Sequence, residues 1–164
     1  VIYDYINEKE VSNRFVQYKV ICHSNGIAYI PFGTTDIEIF SNNSDTIVGR
    51  FKSIGSEIGW YCIEVSKDGY NKADSVVNLL TGSIVLDGGV SDVHDLDSRY
   101  LTLVKNGVNY VYDIMYDEVL TEFDPTTPIV HYAAFSHVYK YKMLNGKFNL
   151  FTYGVGGIIP GGAD

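Results

Sequence analysis

The chain has 164 residues, 46% hydrophobic and 20% charged, enough apolar side chain for one domain with a core and too much for a disordered segment. A formal net charge of −8 argues against nonspecific binding to nucleic acid or an anionic membrane surface. No apolar run approaches the roughly 18 residues of a membrane-spanning helix, so no membrane insertion is expected.

Residues 1–10 (VIYDYINEKE) alternate briefly and then turn polar, as an edge strand would. Residues 14–40 hold the first full unit: RFVQYKVICH, a turn at Asn25-Gly26, then IAYIPFGTTDIEIF. With Asn25 and Gly26 as the turn, Cys22 lies opposite Tyr29 and shares a face with Val20. Residues 41–45 (SNNSD) read as a loop. The second unit begins at Trp60 with WYCIEVS, turns near Asp68-Gly69 with an enlarged tip, and continues through VVNLL to a turn at Thr81-Gly82 and SIVL. Residues 87–98 (DGGVSDVHDLDS) read as a polar connection.

The strongest local signal lies at residues 99–120, RYLTLVKNGVNYVYDIMYDEVL, where Asn106-Gly107 separates two apolar-rich runs. A two-residue type I′ turn needs positive φ at both central positions, which Asn tolerates and Gly adopts freely. It pairs Lys105 with Val108, Leu103 with Tyr110 and Leu101 with Tyr112. Alternation then gives an apolar face (Leu101, Leu103, Val108, Tyr110, Tyr112, Ile114) and a mixed one (Tyr100, Thr102, Val104, Asn109, Val111, Asp113).

The last unit runs from His131 through HYAAFSHVYKYKML, a turn at Asn145-Gly146, then KFNLFTY and IIP. A two-residue turn there puts Tyr141, Met143, Phe148 and Leu150 on the apolar face, one residue out of phase with the first and third units. A bulge at Lys147 or burial of both faces would repair the mismatch. The best helix candidate is 131–138, where two alanines interrupt the strand character.

Gly26, Gly69, Gly107 and Gly146 follow one another at 43, 38 and 39 residues. A period near 40 in a strand-rich chain means repeated β units. The expected fold is all-β: one domain over 1–164, with four antiparallel hairpin repeats near 14–45, 58–88, 98–124 and 131–162, about three strands each, stacked or propeller-like. The chain starts at Val1 without Met and stops at Asp164 just past a strand-like run, which is expected of a trimmed chain, a processed product or a segment of a longer protein.

The segments SRYLTLVKNG with VNYVYDI and YKMLNGKFNLFTYGVGGII resemble WG-type β repeats, a family named for a Trp-Gly pair after a Gly-Lys turn. The run Asn145-Gly146-Lys147-Phe148-Asn149 is similar to the degenerate form in which an aromatic residue and Asn replace that pair. Trp60 lies before a turn rather than after it, so the pair itself is absent. The resemblance, carried mainly by the second half, implies stacked antiparallel hairpins and a binding or structural role of bacterial or phage type. It offers no catalytic residues to carry over.

The residues support little chemistry of their own. Gly154-Val155-Gly156-Gly157 precedes no helix and lacks phosphate-cradle geometry. Asp92, His94, Asp95 and Asp97 are candidate metal ligands, although acidic loops are usually just solvated. Cys22 and His23 are sequence neighbours, so on a strand they point apart. Glu57, Glu64, Glu118 and Glu122 could supply a glycosidase carboxylate pair, but nothing singles them out. Cys22 and Cys62 read as small buried hydrophobes, with a disulfide as the alternative.

The aromatic residues are more informative, because with 14 tyrosines some are expected on the outer, mixed face. Tyr gives large contact area at low entropy cost, so Tyr100, Tyr112, Tyr139 and Tyr141, with Trp60, are the candidate partner contacts. The expected function is a non-enzymatic protein-interaction or structural module, self-association included, with no cofactor. A carbohydrate-binding β domain using Trp60 or Tyr is the alternative, and a hydrolase on a β scaffold a third. A soluble protein is expected, with virion-associated and extracellular locations both open.

Overall fold

The computed structural model describes residues 2–4, 8–12, 14–69, 73–131, 138–152 and 157–158. These residues form β-strands with one 3₁₀ turn at Val85–Asp87 and no α-helix. Strands β1 (Ile2–Asp4) and β2 (Lys9–Ser12) make a two-stranded sheet. The first four-stranded sheet is β3 (Phe15–Ile21), β4 (Gly26–Pro31), β5 (Ile37–Ser41) and β6 (Thr46–Phe51). The second is β7 (Ser53–Ile58), β8 (Cys62–Ser66), β9 (Ser75–Asn78) and β10 (Ser83–Ile84). The third is β11 (Val90–Asp97), β12 (Tyr100–Lys105), β13 (Val108–Asp113) and β14 (Glu118–Glu122). The fourth is β15 (Val130–His131), β16 (Val138–Lys142), β17 (Phe148–Thr152) and β18 (Gly157–Ile158). In each, strand order follows chain order, with connections too short for parallel pairing, and no sheet closes into a barrel. Each of these four sheets holds four strands, one more than the sequence suggests.

The third sheet forms as its turn dictates. Asn106 and Gly107 have φ of 53° and 78°. Lys105 pairs with Val108, Leu103 with Tyr110 and Leu101 with Tyr112, as expected. Burial differs from the one-sided expectation, because both faces are covered. Leu101, Leu103, Tyr112 and Ile114 are buried, and so are Tyr100, Val111 and Asp113 opposite them. Tyr100 and Val111 belong to a core with Tyr139, Tyr141 and Phe151 of the fourth sheet. Asp113 is tolerated there because Arg99 pairs with it.

The first hairpin corrects the Asn25-Gly26 turn. Ile21 pairs with Gly26 and Tyr18 with Tyr29, so Cys22 does not face Tyr29. The chain reverses earlier, because Cys22, His23 and Ser24 all adopt positive φ. Gly26 is a strand residue, and its lack of a side chain serves a close approach. A Cβ there would lie 2.8 Å from the Phe40 carbonyl oxygen and 2.9 Å from both Leu79 methyls. Gly26→Ala is therefore expected to lower stability by about 1–3 kcal/mol through overpacking. Urea denaturation measures it, and an unchanged midpoint would show that Leu79 yields freely.

The repeat frame shifts accordingly. Gly69, Gly107 and Gly146 have φ of 76°, 78° and 84°. Each lies between the second and third strands of its sheet. In the first sheet that position belongs to Gly33, with φ of 83°, and not to Gly26. Asp68 and Gly69 sit in a long link between β8 and β9, the enlarged tip, of which 70–72 lie outside the described residues.

The fourth hairpin resolves its own phase problem. Tyr141 pairs with Asn149 and Tyr139 with Phe151. The Met143 N–H donates to the Lys147 carbonyl at 2.7 Å, and the Gly146 N–H to the Met143 carbonyl at 2.9 Å. The turn thus holds one residue more than Asn145-Gly146 alone. Tyr139, Tyr141 and Phe151 share the core face, while Phe148 and Leu150 lie on the other. The expected set Tyr141, Met143, Phe148 and Leu150 is split for this reason. Of the helix candidate, 132–137 lie outside the described residues, and its ends His131 and Val138 are strand.

A further device recurs where the third strand meets the fourth. Ser41 Oγ accepts the Ser44 N–H, Asn78 Oδ1 the Leu80 N–H, and Asp113 Oδ1 the Met115 N–H. All three side chains are buried, and each satisfies an amide that the turn would otherwise leave unpaired.

The chain divides into two compact units, residues 1–91 and 92–164. In the first, the two four-stranded sheets close on Ile21, Ala28, Ile39, Phe51, Val65 and Leu79. The other face of the first sheet packs Tyr29 and Phe40 against Ile2 of β1. In the second unit the Tyr100–Phe151 cluster is the core between the third and fourth sheets.

Candidate functional site

The four candidate tyrosines are buried, which corrects the expectation that they are open partner contacts. Their hydroxyls are tied down. Tyr100 donates to the Thr152 carbonyl at 2.8 Å, Tyr112 to Asp117 and Tyr139 to Asp97. The Tyr141 oxygen accepts from Thr121 at 3.2 Å. Burial, and then the Asp97 carboxylate accepting its proton, push the Tyr139 hydroxyl above its ordinary pKa. These are core residues with satisfied polar tips.

The acidic segment is strand β11 rather than a loop. Asp95 and Asp97 share one face, while His94 lies on the other. Asp97 Oδ1 accepts the N–H groups of Arg99 and Tyr100, and its other oxygen accepts from Tyr139. Burial, and then the Asp97 charge, push the Asp95 carboxyl above its ordinary value. Among the described residues no three His, Cys, Asp or Glu side chains gather as a metal set, Asp92, His94, Asp95 and Asp97 included. Of the glycine run, 154–156 lie outside the described residues and Gly157 opens β18.

Both cysteines are free and buried. Burial and the neighbouring Glu57 carboxylate push the Cys22 thiol up to about 12, so it stays protonated and poorly nucleophilic. Its Sγ donates to the Cys62 carbonyl at 2.9 Å, whereas exposed His23 stacks elsewhere. Glu57 is held by the Cys22 N–H and by Lys19, and Glu64 by the Ser56 N–H. Glu118 and Glu122 are exposed at the two ends of β14.

Trp60 is where the sequence reading and the surface agree. It is 54% exposed, and its ring stacks on His23 with centroids 5.0 Å apart at 29°. The short link before β8 carries Trp60, and the loop between β3 and β4 carries His23. Asn25 Nδ2 joins the two loops, donating to the Trp60 carbonyl at 2.8 Å and the Cys22 carbonyl at 2.9 Å. Sequence reasoning missed His23 as a contact, and no residue type in the loop signalled it.

It also missed the edge strand β3. Among the described residues β3 pairs only with β4, and its exposed side chains include Val16 (66%), Tyr18 (59%) and Val20 (49%). Their alternation with Gln17 and Lys19 is visible in the sequence, but edge position is not. Strand β3 has a register shift of its own between Phe15 and Gln17 and carries Lys19. The edges β11 and β14 are more heavily charged, with three aspartates and two glutamates, and β6 and β7 each carry a glycine with a register shift.

The described residues define an all-β chain, chiefly four-stranded antiparallel sheets, that carries the exposed Trp60–His23 pair and the apolar edge β3. No family model matches the chain, and no curated protein matches it. Among solved structures it is similar to a eukaryotic initiation factor, at 14% identity and TM-score 0.37, over 93% of this chain and 43% of that one. It is similar to the computationally designed Ika4 protein at 12% and 0.30, over 79% and 86%. Hsv2 of Kluyvelomyces marxianus follows at 11% and 0.28, over 87% and 49%. At these scores the likenesses carry no argument about this chain.

Proposed function

We propose that the chain is a non-enzymatic protein-interaction or structural module. In this reading its four sheets are copies of one unit of about 40 residues, of degenerate WG type, in a stacked or propeller-like series. The recurring buried caps Ser41, Asn78 and Asp113 and the matching turn glycines support a common unit. The observation that carries the function is β3, an edge strand with an apolar exposed stripe and an open ladder side among the described residues. Such an edge offers backbone hydrogen bonds to an added strand and side chains to select it.

Sedimentation velocity over a concentration series, with a crosslinking pull-down, tests this. The wild type is expected to self-associate or retain a protein partner. Val20→Lys, which places a charge on the stripe, is expected to abolish that with an unchanged near-ultraviolet circular dichroism spectrum. Wild-type protein that stays monomeric and partnerless would refute the reading.

A second reading, a carbohydrate-binding β domain, is favoured by one observation. Trp60 presents an aromatic ring to solvent, stacked on His23 and held in place.

A further inference from the structure

We propose that Trp60 and His23 form a platform for one neutral sugar ring, rimmed by the amides of Asn42 and Asn43. The proposal rests on the carbohydrate reading and gives it a place and a ligand chemistry.

The first support is that the platform is fixed. Trp60 stacks on His23, and the Trp60 carbonyl is tied through Asn25 to the opposite loop. A fixed ring gives contact area without an ordering cost at binding.

The second is where the backbone is strained. Cys22, His23 and Ser24 have φ of 46°, 54° and 73° in succession, none of them glycine. Each such residue costs on the order of 1–2 kcal/mol and persists only where its surroundings over-determine it. Here they do. The Cys22 N–H donates to Glu57 at 2.8 Å, and Asn42 Nδ2 to the Ser24 carbonyl at 2.6 Å. The Asn25 backbone N–H donates to the Cys22 carbonyl at 3.0 Å. Strain held in this way presents His23 to solvent beside the indole rather than burying it.

The third is the chemistry of the rim. Asn42 and Asn43 are exposed, and their Nδ2 groups brace the loops: Asn42 donates to the Ser24 carbonyl, and Asn43 to Asn25 Oδ1 at 3.1 Å and the Leu79 carbonyl at 3.3 Å, so the rim faces a ligand mainly with amide oxygens. Ser24 adds a hydroxyl beside His23. The charged groups on the neighbouring segments are paired, Lys19 with Glu57 at 3.3 Å and Lys9 with Asp45 at 2.5 Å, so they offset one another. Neutral donors and acceptors around an apolar ring suit a ligand with a C–H face and hydroxyl edges. A charged ligand would find no uncompensated partner among these groups.

Trp60 is the only tryptophan, so its fluorescence reads this site alone. The wild type is titrated with cellotetraose, maltotetraose and chitotetraose and applied to a glycan array. The expected result is a saturable fluorescence change with at least one neutral oligosaccharide. Array binding should fall at least about tenfold in Trp60→Ala and measurably in His23→Ala, with unchanged urea midpoints. Array binding that survives Trp60→Ala would overturn the placement and leave the carbohydrate reading standing. Wild-type protein that binds no saccharide in either assay would overturn both.

Discussion

Arg99→Leu is expected to lower stability by about 3–5 kcal/mol, because it strands a buried carboxylate. Arg99 and Asp113 are both buried, and Arg99 Nη2 lies 2.6 Å from Asp113 Oδ2 while Nε lies 3.0 Å from the same oxygen. The guanidinium also lies 5.1 Å from the Tyr100 ring and 5.2 Å from the Tyr116 ring. Asp113 has a second duty, since its Oδ1 accepts the N–H groups of Met115 and Tyr116 and shapes the turn into β14. With Arg99 gone, those two amides are the donors left to a charge far from water. Asp113→Asn keeps the turn acceptor but removes the carboxylate charge that neutralises the buried guanidinium, so it too should destabilise. The double variant Arg99→Leu/Asp113→Asn should then cost less than the two single changes added. Urea denaturation of all four proteins closes the cycle. Additive losses would show that the two side chains act independently.

The parts of the fold that were legible are those whose signal is local. Asn106-Gly107 encodes both a turn type and a register, and the β12–β13 pairing follows from it. Among the strands that escaped are β6, β7 and β11, each exposed at several positions. They read as polar or glycine-broken because an edge has no need of a continuous apolar face. Their glycines accommodate neighbours rather than turns. A Cβ at Gly49 would lie 3.1 Å from the Phe51 ring, and one at Gly55 3.0 Å from Glu64 Cβ. Gly26 misled for the same reason, since its small size serves Leu79 across the core.

The site was legible only at Trp60. Alternation shows which residues share a face, but not whether the second face is covered as well. That is why Tyr100 read as surface when it is core, whereas Tyr112 and Tyr141, with Tyr139 beside it, are buried on the faces that alternation itself marks as apolar. Left-handed backbone is signalled in sequence by Gly and Asn. The first hairpin instead uses Cys22, His23 and Ser24, held by side chains from Asn25, Asn42 and Glu57. Two of those three supports come from other strands or loops, so no local pattern records them.

Phe151→Ala is expected to cost about 3–5 kcal/mol, the largest loss from any single apolar truncation in the second unit. Phe151 is fully buried and stacks on Tyr139 with centroids 4.9 Å apart at 17°. It meets Tyr100 edge-on at 5.1 Å and Tyr141 at 5.8 Å. Three aromatic rings therefore lose a neighbour at once, and rigid rings collapse poorly into a cavity. Tyr139→Phe separates packing from hydrogen bonding, because it keeps the ring and removes only the donor to Asp97. Asp97 keeps the Arg99 and Tyr100 amides, so that change should cost only about 0.5–1.5 kcal/mol. Tyr139→Ala should instead resemble Phe151→Ala. Denaturant midpoints followed by circular dichroism give the ranking. If Tyr139→Ala left the midpoint unchanged, Tyr139 would be a surface residue after all, and the buried aromatic cluster could not be what holds the third and fourth sheets together.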